Sequence, residues 1–355
     1  MSMQGSGIQY KQTGSALVAI VRFNLKQRSE IHAAFRELAQ DIPTENIAGT
    51  PYCVIQFFSS YTEGFEVEVG FPVRQAVETG RIHSKTCPAL DVLSLVHQGP
   101  PGELRTTKLK LYEFSDKHGL ISDEFTREVY PEWEDGAGPI EAQFVIHNWN
   151  AIFARNLERV LGKEIRDKVM QTADQLSLES TPLERFEWAK GAMQCLDELA
   201  DEDQKFDVVS SCSHVYPPLQ LDKLRQAYQT AFKESANPLE AVDAVIAFMR
   251  SDPGWGEKEL YRQGNVVYHT KNPADPQAYQ QATTPEAKRA AYCFCPIIGI
   301  HLDRGISDTY CYCGSGWYRQ QWQAATGLPV SVKVVQSVVR GDDVCQFAAH
   351  LSEDL

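Results

Sequence analysis

The chain of 355 residues contains no apolar run of about 18 residues and no charged-then-apolar start. Nothing in it therefore reads as a membrane-spanning helix or a secretory signal. The expected setting is the reducing cytoplasm, where structural disulfides are rare and clustered cysteines bind metal or do chemistry. Basic residues are also scarce: 34 Lys and Arg stand against 47 Asp and Glu, a net charge of −13. Neutralising phosphates needs clustered cations, so nucleic acid and anionic membrane are not expected as partners. No DNA-binding helix-turn-helix is visible either. The acidic balance is compatible with a neutral or cationic, aromatic small molecule, and a homodimer is left open.

What is present is a globular composition, 43% hydrophobic and 23% charged. The length favours two domains. The sequence predicts an α+β protein: a duplicated βαββ domain over 8–150, then 151–355 as a helical connector leading into a cysteine-rich α+β core at 290–351. In the first part, 15–24 reads as a β-branched strand. Ser29 can cap a helix with Ile31, Phe35 and Leu38 on one face. Strands follow at 52–59 and 65–73. The pattern recurs with a strand at 90–97, a helix opened by Gly99-Pro100-Pro101, and strands at 125–131 and 140–147. Such a repeat implies two similar halves joined in one sheet.

Four stretches carry a resemblance: Glu68-Val69-Gly70-Phe71-Pro72-Val73, Gly80-Arg81-Ile82, Leu95-Val96-His97-Gln98-Gly99-Pro100 and Arg127-Glu128-Val129-Tyr130. In that order they resemble GyrI-like, AraC-type effector-binding domains over residues 8–148. The resemblance implies a duplicated βαββ fold with a central small-molecule pocket and Glu128 facing the ligand. Some relatives imply hydrolysis of strained electrophiles, with the Glu activating water. The residues support both roles for Glu128: a desolvated carboxylate pairs with a cation, or its pKa rises and it becomes a base. Tyr52, Phe57, Phe71, Tyr112, Tyr130, Trp133 and Trp149 are the candidate pocket walls. His97, in an apolar strand, reads as a hydrogen-bonded core histidine.

The stretch 151–249 is largely helical, with Pro218 and Pro238 opening helices. Residues 252–284, rich in X-Pro steps, read as an irregular excursion. Five cysteines crowd the end: Cys293-Phe-Cys295, Cys311-Tyr-Cys313 and Cys345. Cys293 to Leu302 reads as a strand or a loop passing into one, Trp317 to Thr326 as a helix, and 330–335 and 344–349 as strands. In extended chain, residues i and i+2 share a face about 6.6 Å apart. Two such pairs suit a closed zinc site, with an iron–sulfur cluster as the lesser alternative. Cys212 and His214 are further ligand candidates. Inert, redox-active or nucleophilic thiols are the other readings.

Cys311, the Gly-Trp-Tyr helix, Gly327-Leu328-Pro329-Val330 and Gly341-Asp342-Asp343-Val344-Cys345-Gln346-Phe347 look like the end of a 4-vinyl-reductase-type sensor domain. They are also similar to L-2-amino-thiazoline-4-carboxylic acid hydrolase-like proteins. The resemblance implies zinc on Cys311 and Cys345. The Glu and Cys completing that site fall here on Val334 and Ser337, so other thiols must be recruited. The functional expectation is a cytosolic small-molecule-binding protein of sensor or sequestering type. The alternative is a hydrolase using Glu128 or a C-terminal Cys.

Overall fold

The computed structural model describes residues 7–56, 64–120, 122–134, 138–177, 179–216, 218–251, 255, 257–353 and 355. Phe57 lies outside them. Two compact units divide the chain, Met1–Asn148 and Trp149–Leu355. Helices and antiparallel sheets mix in both, so the fold class is α+β. Among the described residues no helix is long and apolar enough to cross a membrane.

The first unit runs β1 (Gln9–Gln12), β2 (Ala16–Leu25), α1 (Ile31–Gln40), β3 (Tyr52–Gln56), β4 (Phe65–Pro72), β5 (His83–Cys87), β6 (Asp91–His97), α2 (Leu104–Lys117), β7 (Ser122–Val129) and β8 (Ile140–Ile146). Its eight-stranded sheet has the order β1-β6-β8-β7-β3-β4-β2-β5. The halves β2-α1-β3-β4 and β6-α2-β7-β8 thus lie side by side, and β3 meets β7 at the seam between the repeats.

Residues directly opposite each other in an antiparallel ladder share a face. Val69, Cys53, Glu128 and Ala142 therefore lie on one face, and Phe71 joins them two residues along β4. Both helices cover this face. From α1, Phe35 meets Phe71 edge-on with ring centroids 5.9 Å apart. From α2, Lys108 reaches Glu128. No helix of this unit, among the described residues, covers the opposite face.

Helix α1 starts one residue later than the Ser29 cap suggests, with Glu30 at the N-cap. A 3-10 turn at Arg28–Glu30 precedes it, and its N-cap side chain makes no capping hydrogen bond to the helix. His97 is a satisfied core histidine: Nδ1 lies 2.9 Å from Thr107 Oγ1 and Nε2 lies 2.9 Å from the Pro100 carbonyl.

The second unit opens with α3 (Trp149–Leu161), α4 (Lys163–Val169), α5 (Pro182–Leu199), α6 (Glu202–Ser210), α7 (Pro218–Ser235) and α8 (Pro238–Ser251). Thr181 with Glu184, and Asp201 with Gln204, form capping boxes that start α5 and α6. Then come β9 (Glu257–Gln263), β10 (Val266–Lys271), α9 (Pro276–Gln281), α10 (Pro285–Tyr292), α11 (Tyr312–Thr326), β11 (Ser331–Gln336) and β12 (Gln346–His350). The strands order as β11-β12-β10-β9. They share a core with α7, α8 and α11 built on Val245, Val267, Tyr318, Trp322, Val332 and Phe347.

Three expectations need correction here. The excursion at 252–284 contains the β9–β10 hairpin and α9. Its first strand, Glu-Lys-Glu-Leu-Tyr-Arg-Gln, lies at the sheet edge and buries little, so no apolar alternation announced it. Cys293 to Leu302 is no strand but a turn passing into a 3-10 segment at Gly299–Arg304. The final helix begins at Tyr312, five residues before Trp317, and takes Gly314 and Gly316 into its first turns. A Cβ on Gly316 would lie 1.9 Å from the Ser210 carbonyl oxygen, and one on Gly314 would lie 2.8 Å from Phe347. These glycines serve close packing rather than a loop.

Candidate functional site

At the seam of the first unit one carboxylate faces two cations. Glu128 is fully buried on β7. Lys108 Nζ lies 2.6 Å from its Oε1, and Arg28 pairs with its Oε2. The Tyr130 hydroxyl donates to Oε2 at 2.7 Å, and the Cys53 thiol lies 3.8 Å away. Lys108, itself fully buried, also donates to Thr126 Oγ1 at 2.9 Å. Burial alone would raise the Glu128 pKa, but Lys108 and Arg28 outweigh it and hold the carboxyl at about 2. Burial and the neighbouring carboxylate keep Tyr130 a phenol.

Of the two roles open for Glu128, the geometry supports the anion paired with cations: Lys108 and Arg28 both hold it, on the helix-covered face of the sheet. One of its cations comes from each repeat, Arg28 ahead of α1 and Lys108 on α2. Neither was singled out from sequence. Lys108 could have been, since it sits on the stripe of α2 shared by Leu104 and Leu111, both buried.

The helix-free face carries a different set. One row crosses six strands in register: Ser94, Gln143, Arg127, Val54, Glu68 and Arg22. Ser94, Gln143 and Glu68 are buried polar residues. Glu68 is held by Lys85 at 2.6 Å and by Arg22 at 3.5 Å. Gln143 donates from Nε2 to Glu141 at 3.0 Å. Arg127 is different, with its guanidinium stacked 3.9 Å from the centre of the Tyr52 ring. Its Nε, and the Oε1 of the directly paired Gln143, are buried without hydrogen-bond partners among the described residues. Such orphaned groups cost on the order of 1–3 kcal/mol each unless something meets them.

The candidate aromatic walls disperse. Tyr52 lies on the Arg127 face, its hydroxyl engaged with Cys87. Phe71, Phe35 and Tyr130 pack together on the Glu128 face. Half-buried Trp133 lies edge-on to Phe71 at 5.1 Å, and its carbonyl lies 3.0 Å from His32 Nδ1. Tyr112 is 47% exposed on α2. Trp149 belongs to the core of the second unit, stacked on Phe153 and Tyr310.

In the second unit the five clustered cysteines do come into one neighbourhood: Cys293 feels the charges of Cys295, Cys311 and Cys345, and Cys313 feels that of Cys295. Burial pushes every one of these thiols up, Cys311 and Cys313 to about 12. Yet all five residues keep some accessible surface. Cys293, Cys295 and Cys313 pack against the core that includes Trp149 and Tyr310, and Cys345 against the core of the four-stranded sheet. Among the described residues, no three of Cys293, Cys295, Cys311, Cys313, Cys345, Cys212 and His214 bring ligand atoms within 4.8 Å of one another. Thiolates around tetrahedral zinc sit roughly 3.8 Å apart, given bonds of about 2.3 Å. The donors as placed therefore do not fit the ion. The extended Cys-x-Cys premise also fails for Cys311 and Cys313. Cys311 has helical backbone angles and Cys313 is in α11, where i and i+2 point to different sides. Cys311 instead lies 3.1 Å from Ser337 Oγ, and fully buried Cys212 donates to the Val208 carbonyl.

No family model and no curated protein matches the chain. Solved structures do. The crystal structure of the EcmrR C-terminal domain is 22% identical, covering 39% of this chain and 96% of that one, with a TM-score of 0.35. A hydrolase from Listeria innocua is 11% identical, covering 39% and 90%, with a TM-score of 0.29. SAV2435 bound to tetraphenylphosphonium is 11% identical, covering 41% and 96%, with a TM-score of 0.29. Each of these matches spans about two fifths of the chain.

Proposed function

We propose that this protein binds a small molecule on the helix-free face of its first unit, with Arg127 as the recognising residue. The observation that carries the reading is the pair of orphaned groups in the middle of the polar row. Arg127 offers an N–H and Gln143 an oxygen, side by side and buried, beside an aromatic ring. A planar molecule with one acceptor next to one donor, such as an aromatic primary amide, satisfies both and lays its ring near Tyr52. Charge sets the sign of the preference. Lys108 and Arg28 already compensate Glu128, and Lys85 and Arg22 already hold Glu68. A cationic ligand would meet no uncommitted carboxylate in either set, so the neutral half of the neutral-or-cationic expectation is favoured.

Isothermal titration of the full chain with 2-naphthamide and with tetraphenylphosphonium tests this. The amide should bind, and Arg127→Met should weaken it at least tenfold, about 1.4 kcal/mol. Binding of the phosphonium alone, or amide binding indifferent to Arg127→Met, would overturn the reading.

A further inference from the structure

Helix α2 has a buried side, a solvated side and a stripe that belongs to neither. Leu104, Thr107, Lys108, Leu111 and Ser115 are buried against the sheet. Thr106, Lys110, Glu113 and Lys117 are exposed and polar, an ordinary solvated face. Between the two, on a helix of 3.6 residues per turn, run Arg105, Leu109, Tyr112 and Asp116, all exposed. Leu109 is 37% and Tyr112 47% exposed, and among the described residues of the first unit only Val96 is another large apolar side chain so open. A single exposed apolar residue is ordinary. These two are neighbours on one stripe, three residues apart, with a cation four residues before the first and an anion four residues after the second. Spacing of four, three and four is that of a seam along which one helix meets another.

The order of the chemistry selects the partner. The stripe runs cation, apolar, apolar, anion, and Arg105 and Asp116 lie equally far from its centre, as do Leu109 and Tyr112. An antiparallel copy of the same helix, related by a two-fold axis through that centre, sets Arg105 against Asp116 and Leu109 against Tyr112, each of them twice. A parallel copy would set like charges against each other. We propose that α2 is the contact of a homodimer of this chain, closed by two ion pairs around an apolar centre of four side chains. The matched charges have work to do, because the chain carries −13 and two copies repel at long range. Within one chain Arg105 and Asp116 stand about 16 Å apart along the helix axis, at 1.5 Å per residue, beyond each other's reach. Their pairing can form only between copies. Three turns of helix bury less than the roughly 1,200 Å² of a standard interface, so the dimer is weak and depends on concentration.

Sedimentation equilibrium of the full-length protein, from low micromolar to several hundred micromolar, is the test. The wild type should pass from monomer to dimer over that range and go no further, since a two-fold contact is closed. Arg105→Asp and Asp116→Arg should each weaken association at least tenfold, because each sets like charges together twice. The double variant Arg105→Asp with Asp116→Arg should return to within about threefold of the wild type. Only contact between these two positions on different copies gives that recovery. Leu109→Glu should leave the protein monomeric throughout. All three positions are exposed, so circular dichroism should be unchanged in every variant. A wild type that stays monomeric would overturn the proposal. So would a dimer that tolerates either single charge reversal, or a double variant that associates no better than the single ones.

Discussion

At the scale of single residues, the first unit is governed by how it keeps a charge in its core. Taking Glu128 out of water is costly, and Arg28 and Lys108 offset that cost only while the carboxylate is ionised. Its pKa is held at about 2 against an ordinary 4.5. A carboxyl depressed in the folded state binds its proton more readily when unfolded. Its contribution is therefore complete above about pH 4.5 and disappears as pH falls towards 2. The shift corresponds to roughly 3 kcal/mol. Urea unfolding of the wild type should thus lose stability steeply between pH 4.5 and 2. Glu128→Gln should flatten that segment and cost about 3–5 kcal/mol at neutral pH, since two buried cations then lack a counter-charge. A variant as stable as the wild type at pH 7 would mean that the triad does not hold its ionised form. At this scale the sequence disclosed the residue and not the two cations that hold it. Alternation along Arg127-Glu128-Val129-Tyr130 says that neighbours face opposite ways. It does not say which way the helices lie, and so not which of Arg127 and Glu128 they cover.

Elements show the same division between what a local pattern encodes and what packing imposes. Strands β2, β4 and β6 were legible because β-branched or alternating residues fill them, and α1 because Ile31, Phe35 and Leu38 recur at helical spacing. The short strands β1 and β5 were not, because at or near a sheet margin they need little apolar surface. The opening of α11 was misread because glycine is a poor helix former in isolation. Here it admits the neighbouring chain. That difference is measurable. Gly191, exposed in α5, has nothing within 4 Å of an added Cβ, whereas Gly316 meets the Ser210 carbonyl at 1.9 Å. Gly191→Ala should stabilise by about 1 kcal/mol, the usual helix-propensity gain. Gly316→Ala should reverse the sign and destabilise by about 1–3 kcal/mol, because α6 and α11 must move apart. Thermal unfolding of the two variants checks both, and a stabilised Gly316→Ala would refute the tight crossing of these helices.

On the scale of the whole molecule, sheet closure decides what can fold alone. Every strand partner in the eight-stranded sheet lies between Gln9 and Ile146, and every partner in the four-stranded sheet lies between Glu257 and His350. The βαββ repeat explains the first of these: each half presents one strand, β3 or β7, that only the other half pairs. The first repeat alone would leave β3 as an open edge and Arg28 without Glu128. Two repeats supply both the hydrogen bonds and the second cation. The fragment 1–148 should therefore unfold cooperatively in urea and keep the loss of stability between pH 4.5 and 2. A fragment ending after β4, at residue 73, should not, because Arg28 would face no carboxylate and β3 no partner on one side. Native-like circular dichroism with a single transition for 1–148, and none for 1–73, is the expected outcome. A cooperative 1–73 would mean that the repeat folds without its seam, and the buried ion cluster would then be dispensable to the architecture it joins.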